Sequence, residues 1–174
     1  NLPLYKLWNT EWKNIPLNDY TIGIDTIEKM IAKMKSHPSP IYKIKVGFDD
    51  DMEIIKALRK QTAALFRVDA NAGWKVEEAL KKIDVLKNLN VEFIEQPLDK
   101  EDFEGMKILI EKSSLPLFAD ESCVQENDVE KCAGYFHGIN IKLTKCSGIT
   151  PALRMIKKAK DLNLKIMLGS MNES

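Results

Sequence analysis

A chain of 174 residues is long enough to bury one sizeable core. Its 26 Lys and Arg residues balance 26 Asp and Glu, so it carries no electrostatic footprint for nucleic acid or an anionic membrane surface. With 44% hydrophobic and 30% charged residues the composition is that of a soluble globular protein, and no apolar run approaches the roughly 18 residues that a membrane span needs. The first residues, Asn1 to Tyr5, lack the basic patch and apolar run of a signal peptide. Cys123, Cys132 and Cys146 are odd in number and lack paired metal-type spacing, which predicts reduced thiols in a cytoplasmic protein. His37 and His137 sit far apart beside turn-like residues and predict neither a zinc site nor a catalytic dyad.

Seven short apolar runs follow in chain order: Tyr20–Ile24, Ile41–Val46, Leu65–Val68, Val91–Ile94, Leu115–Ala119, Gly138–Leu143 and Leu164–Leu168. Each of the first six is followed by a polar turn and a helix-periodic stretch. Asp25 with Glu28 reads as a capping box opening the first of these helices. Leu80, Ile83, Leu86 and Leu89 recur at helical spacing after the third run. Thr150–Pro151 reads as an N-cap with proline at the first helical position, and Ile149, Leu153, Ile156 and Ala159 mark that helix's apolar face. Strands alternating with helices predict parallel pairing through right-handed crossovers. The fold class expected is α/β, a (β/α) TIM-type barrel of about seven units, with an open doubly wound sheet as the alternative. Seven strands leave two unpaired edges and the chain stops just after a strand, so a longer natural protein with an eighth strand is expected.

Strands buried on both faces carry charge only where the charge has a role. Here Lys43, Lys45, Asp69, Glu95, Asp120 and Lys142 stand at or near the C-terminal ends of the second to sixth runs. From Lys45 to Lys142 the steps are 22 to 26 residues, about one β-α unit each, so these groups occupy equivalent positions at the barrel mouth. Three adjacent acids would repel one another unless a cation sat among them, and an all-oxygen donor set favours Mg²⁺ over zinc. Lys43 and Lys45 point to one face of their strand with backbones roughly 7 Å apart. Two ammonium groups at that distance repel by about 2.5 kcal/mol, bringing one lysine from about 10.4 toward 8, where it serves as a general base. In an eight-stranded barrel the second and sixth strands face each other, so Lys45 and Lys142 would address opposite faces of one α-carbon. Two such bases are what inversion of a stereocentre requires.

The ordered set Lys-x-Lys, Asp, Glu, Asp, Lys resembles the enolase superfamily, specifically its muconate-lactonizing subgroup. Arg-Val-Asp-Ala-Asn, Val-Glu-Phe-Ile-Glu-Gln-Pro, Ala-Asp-Glu-Ser and Asn-Ile-Lys-Leu-Thr-Lys carry the resemblance. Asp-Tyr-Thr-Ile-Gly-Ile-Asp (residues 19–25) and the closing Leu-Gly-Ser-Met-Asn-Glu-Ser are most similar to L-Ala-D/L-Glu and related dipeptide epimerases. The resemblance implies a modified enolase-type barrel. It implies that Asp69, Glu95 and Asp120 bind Mg²⁺ with Asn71 supporting them, that Lys45 and Lys142 exchange the α-proton, and that Lys43 binds the substrate carboxylate. Thr21, Ser170, Met171 and Asn172 would line the substrate pocket. Residues 1–18 would be the tail of an absent N-terminal capping domain, and 19–174 the catalytic barrel without its last strand. Full activity would need both missing parts. The family's glycine pair after the sixth strand reads Ser147-Gly148 here.

The expected activity is Mg²⁺-dependent epimerisation of a small-molecule carboxylate such as a dipeptide, through an enediolate. The same residues would also serve an o-succinylbenzoate synthase, a muconate cycloisomerase or an N-acylamino-acid racemase. A non-catalytic metal-binding barrel is the alternative from another class. The pattern leaves the oligomeric state open, a homo-oligomer included.

Overall fold

The computed structural model describes residues 2–11, 13, 15–47 and 50–171. After a short N-terminal helix α1 (Leu4–Leu7), strands and helices alternate. They are β1 (Tyr20–Ile22), α2 (Ile27–Ser36), β2 (Ile41–Lys45), α3 (Asp51–Arg59), β3 (Leu65–Asp69), α4 (Val76–Lys87), β4 (Val91–Glu95), α5 (Phe103–Lys112), β5 (Leu117–Ala119), α6 (Asp128–Cys132), β6 (Gly138–Lys142), α7 (Ile149–Asp161) and β7 (Lys165–Gly169). All neighbouring strands pair in parallel, in the order β1-β2-β3-β4-β5-β6-β7. Thr21 of β1 and Gly169 at the end of β7 line the same cavity as Lys43, Arg67, Phe93 and Phe118 from the strands between them, so the sheet curls into a partial TIM-type barrel.

Strand alternation divides the side chains into two sets. Ile22, Tyr42, Ile44, Phe66, Val68, Ile94, Leu117, Ile139 and Ile141 turn outward into one apolar cluster with helix residues such as Met30, Ile55, Ile83, Leu109 and Met155. This layer between sheet and helices is the main core. The inward set is polar toward the mouth and aromatic below it, where Phe93 and Phe118 stack with ring centroids 4.2 Å apart. No helix among the described residues is long and apolar enough to cross a membrane. Cys123, Cys132 and Cys146 are all buried free thiols.

Three local expectations are corrected. The N-cap of α2 is Thr26, whose extended backbone lets its hydroxyl accept from Lys29 N–H, while Asp25 accepts from Thr26 N–H at 2.8 Å. Helix α7 begins earlier than Thr150, with Gly148 at φ +114° as its N-cap. Pro151 is tolerated there because first-turn N–H groups have no intrahelical acceptor. The buried face of α7 is Ala152, Met155 and Ala159, whereas Ile149 and Leu153 are exposed. Both faces of that helix carry apolar residues, so periodicity alone could not choose between them.

Candidate active site

Backbone hydrogen bonds beyond the strand ends hold the mouth residues. Val46 N–H donates to Asp69 C=O at 2.8 Å, Ala70 N–H to Glu95 C=O at 3.0 Å, and Gln96 N–H to Phe118 C=O at 2.8 Å. The parallel ladder thus continues one residue past β2, β3 and β4, and Asp69 and Glu95 leave from backbone that is itself pinned. Asp69 and Glu95 are fully buried and Asp120 nearly so.

The charged groups form one connected row. Lys45 Nζ lies 3.8 Å from Asp69 Oδ2. Lys43 Nζ stands between Asp69 Oδ2 at 3.0 Å and Glu95 Oε2 at 2.7 Å. Asn140 Nδ2 donates to the other oxygen of Glu95 at 2.7 Å. At the far end Asp120 accepts from Lys142 at 2.6 Å and from Lys145 at 3.0 Å. In sheet order the two lysines expected to move protons, on β2 and β6, bracket the three acids on or just beyond β3, β4 and β5.

These contacts set the proton affinities. Burial alone would push Lys43 down, but the Glu95 and Asp69 carboxylates outweigh it and push its pKa up. The repulsion expected to lower one lysine of the Lys43/Lys45 pair is therefore overridden at Lys43, because two acids lie within 3.0 Å of its ammonium. Burial, then the charge of Asp69, push Glu95 up to about 7, with Asp120 adding to it and Lys43 opposing. Burial opposes ionisation of Asp120 too, yet the paired lysines Lys142 and Lys145 hold its carboxyl below the usual range.

The donor chemistry suits a hard divalent cation. Asp69 Oδ2 and Glu95 Oε2 are buried, and what faces them is the Lys43 ammonium, at 3.0 and 2.7 Å, a cation in the place between the two carboxylates. All three acids offer oxygen, the donor Mg²⁺ prefers. A cation would also offset the burial and the charges of Asp69 and Asp120 that push the Glu95 carboxyl up to about 7. As they stand, no group of three His, Cys, Asp or Glu side chains among the described residues is placed to hold a metal ion. Lys43 and Lys142 fill that role with their own charges.

Other expected site residues divide. Asn71, at φ +47°, reaches Asp69 through its backbone N–H, which donates to Oδ1 at 3.1 Å. Thr21, Lys43 and Ser170 line the cavity of about 1030 Å³ inside the curl of the sheet. Lys45, Asp69, Glu95, Asp120 and Lys142 do not line it, because it opens below and beside the mouth, toward Arg67, Phe93 and Phe118. Met171 is exposed, and Asn172 lies outside the described residues.

Several participants escaped the sequence reading. Asn140 and Lys145 sit two residues before and three after Lys142, a signal that was there to read. Gln96 is fully buried at φ +37° and accepts from the backbone N–H groups of Asp120 and Ser122 at 3.0 and 3.1 Å, locking the end of β4 to the loop that carries Asp120. Glu121 has a buried oxygen without a hydrogen bond, and burial followed by the charge of Asp120 pushes its pKa up.

The family described as "Enolase C-terminal domain-like" matches residues 26–174. The chain belongs to that family. Among its enolase-like relatives, an L-Ala-D/L-amino acid epimerase of Maribacter sp. (strain HTCC2170 / KCCM 42371) is 56% identical, over 99% of this chain and 51% of that protein. The chain spans about half the length of the curated relatives it matches. A dipeptide epimerase from Cytophaga hutchinsonii, solved with Mg and D-Ala-L-Val, superposes with a TM-score of 0.90 at 31% identity, covering 99% of this chain and 49% of that one. A muconate cycloisomerase from Pseudomonas fluorescens gives a TM-score of 0.89 at 26% identity, over 99% and 51%.

Proposed function

We propose that this enolase-like domain is the catalytic half of a Mg²⁺-dependent dipeptide epimerase. The observation that carries the reading is the row of charges itself. Three buried acids on successive strands are flanked by Lys45 against Asp69 and Lys142 against Asp120. That order puts a proton-carrying amine at each end of an anionic site, as inversion at a single carbon demands. Identity of 56% to an L-Ala-D/L-amino acid epimerase supports a dipeptide as substrate.

Asp69, Glu95 and Asp120 would hold the cation, once Lys43 and Lys142 release the carboxylates they now neutralise. Mg²⁺ in that position would supply Lewis-acid neutralisation of a carboxylate whose α-proton is being removed. Lys43 carries a fixed positive charge, suited to binding the substrate carboxylate beside Asp69 and Glu95. One of Lys45 and Lys142 takes the α-proton as a neutral amine. The other, as ammonium, delivers a proton to the opposite face. Thr21 and Ser170, on the cavity wall, would contact the rest of the dipeptide.

Proton exchange in D₂O tests the reading. The full-length protein with Mg²⁺ should incorporate deuterium at the α-carbon of the C-terminal residue of both L-Ala-L-Glu and L-Ala-D-Glu. Lys45→Ala and Lys142→Ala should each abolish exchange from one epimer, and not from the same one. If both substitutions silenced the same epimer, the two-base arrangement would be refuted. The muconate cycloisomerase likeness makes lactone ring chemistry the alternative, and turnover of cis,cis-muconate in place of exchange would favour it.

A further inference from the structure

Lys45 is weakly held for a residue with its proposed role. Its side chain is 39% exposed, and its one ion pair among the described residues is the 3.8 Å contact with Asp69. Lys142, by contrast, is gripped by Asp120 at 2.6 Å and is 8% exposed. The aim of the Lys45 ammonium therefore depends on the backbone that carries it, where β2 ends and the chain turns toward α3.

That exit is anchored by a buried acid outside the charge row. Asp51, the first residue of α3, is fully buried. Its Oδ1 accepts from the backbone N–H of Gly47, two residues beyond Lys45, at 2.9 Å. Its Oδ2 accepts from Trp74 Nε1 and from Lys82 Nζ, both at 2.6 Å. Lys82 also pairs with Glu78 one turn earlier on α4, and its ammonium lies 4.9 Å from the Trp74 ring centroid. Trp74 belongs to the segment that leaves β3 just after Asp69, and its backbone N–H donates to Pro97 C=O beyond β4 at 3.0 Å. One carboxylate thus ties together the exits of β2 and β3, the start of α3 and the middle of α4.

The chain is tightly fitted at this point. Gly47 sits at φ +132°, where other residues are strained, and a Cβ there would lie 2.8 Å from Ala70 C=O. A Cβ on Gly73 would lie 2.7 Å from Gly47 Cα. With Val46 bonded to Asp69, the path from Lys45 to the hub has no slack.

We propose that Asp51 is a positioning residue for the Lys45 side of the reaction: through Gly47 and Trp74 it fixes the β2 exit against the Asp69 loop, and so aims Lys45 at the α-carbon. The inference rests on the two-lysine reading above. It predicts an asymmetry that a purely structural role lacks, because Lys142 is aimed from β6, whereas the Asp51 bonds described above run to the exits of β2 and β3 and to α4. Asp51→Asn keeps the shape and an acceptor for Gly47, but sets an amide against the Trp74 and Lys82 donors. A displacement of about 1 Å at the general base costs on the order of 100-fold in rate.

The experiment uses the full-length protein with Mg²⁺. Deuterium incorporation is followed separately from L-Ala-L-Glu and L-Ala-D-Glu, with Lys45→Ala identifying the epimer that depends on Lys45. Asp51→Asn should slow exchange from that epimer by roughly 10- to 100-fold while exchange from the other keeps its parent rate. Equal slowing of both, or of neither, overturns the proposal. Should Asp51→Asn fail to fold, Trp74→Phe, which removes one donor and keeps the apolar bulk, takes its place. It should lower the same face selectively by a smaller factor, and an unchanged ratio between the faces overturns the proposal. A parent protein that exchanges neither epimer overturns the epimerase reading and this inference with it. A parent that exchanges both, with variants that lose both alike, overturns this inference alone.

Discussion

Asn140 offers a sharp test of the cation site. Its Nδ2 donates to Glu95 Oε1 at 2.7 Å, both residues are fully buried, and this bond leaves Glu95 Oε2 as the oxygen available to a metal. Asn140→Leu removes the donor while keeping the branched outline and the number of side-chain heavy atoms, so no cavity opens and the lost bond dominates. A hydrogen bond to a buried charged group contributes about 1.5–3 kcal/mol. At about 1.4 kcal/mol per tenfold, Mg²⁺ affinity should weaken about 10- to 100-fold, the range seen when partners of metal ligands are removed. Isothermal titration of the full-length protein with Mg²⁺ or Mn²⁺ measures this without relying on turnover. An affinity unchanged within experimental error would mean that Glu95 does not bind the cation, and the proposed site would be wrong.

Gly169→Ala should act in the same direction from the neighbouring strand. Its Cβ would lie 2.5 Å from Asn140 Oδ1, so the amide that donates to Glu95 must leave its present position; overpacking of this kind costs about 1–3 kcal/mol, read by urea denaturation, and metal affinity should fall alongside. The pH dependence follows from Glu95, whose carboxyl burial pushes up to about 7. Between the unfolded value, about 4.3, and 7 the folded metal-free protein keeps a proton that the unfolded chain has released. This contribution to stability is full at low pH and is lost as pH rises through 7. Mg²⁺ bound at Glu95 as proposed would have to displace that proton, so the rise in Tm on adding Mg²⁺ should grow with pH across this window; a constant rise would contradict the assignment. Arg59, distant from the site, donates to Leu89, Thr62 and Ala64 carbonyls at 2.8–2.9 Å and stacks 3.6 Å from the Phe66 ring centroid. Arg59→Met should cost about 2–4 kcal/mol in urea denaturation and leave Mg²⁺ affinity unchanged.

The alternation of strands and helices was legible from apolar runs, because a strand buried on both faces must be continuously hydrophobic. Each run overlaps an observed strand, and their boundaries differ by at most two residues. Helix starts were less legible. Thr26 caps with its hydroxyl and Gly148 with its backbone alone, and Asp25 is as good a capping residue on paper as Thr26. The acids and lysines of the mouth stood out for the opposite reason, since charge on a buried strand is conspicuous wherever it falls.

The linear sequence by itself determined which residues could form the charged row, because one β-α unit separates each from the next and the strands pair in chain order. Which of them touch was settled only by the tertiary structure. The stagger between parallel strands puts Asn140 against Glu95, and Lys43 between two acids rather than beside a repelling lysine. The Asp51 hub joins residues 23 and 31 positions apart, and no local pattern encodes it. A side chain's proton affinity follows from the charges that surround it in space, and those neighbours are fixed by register and packing rather than by proximity along the chain.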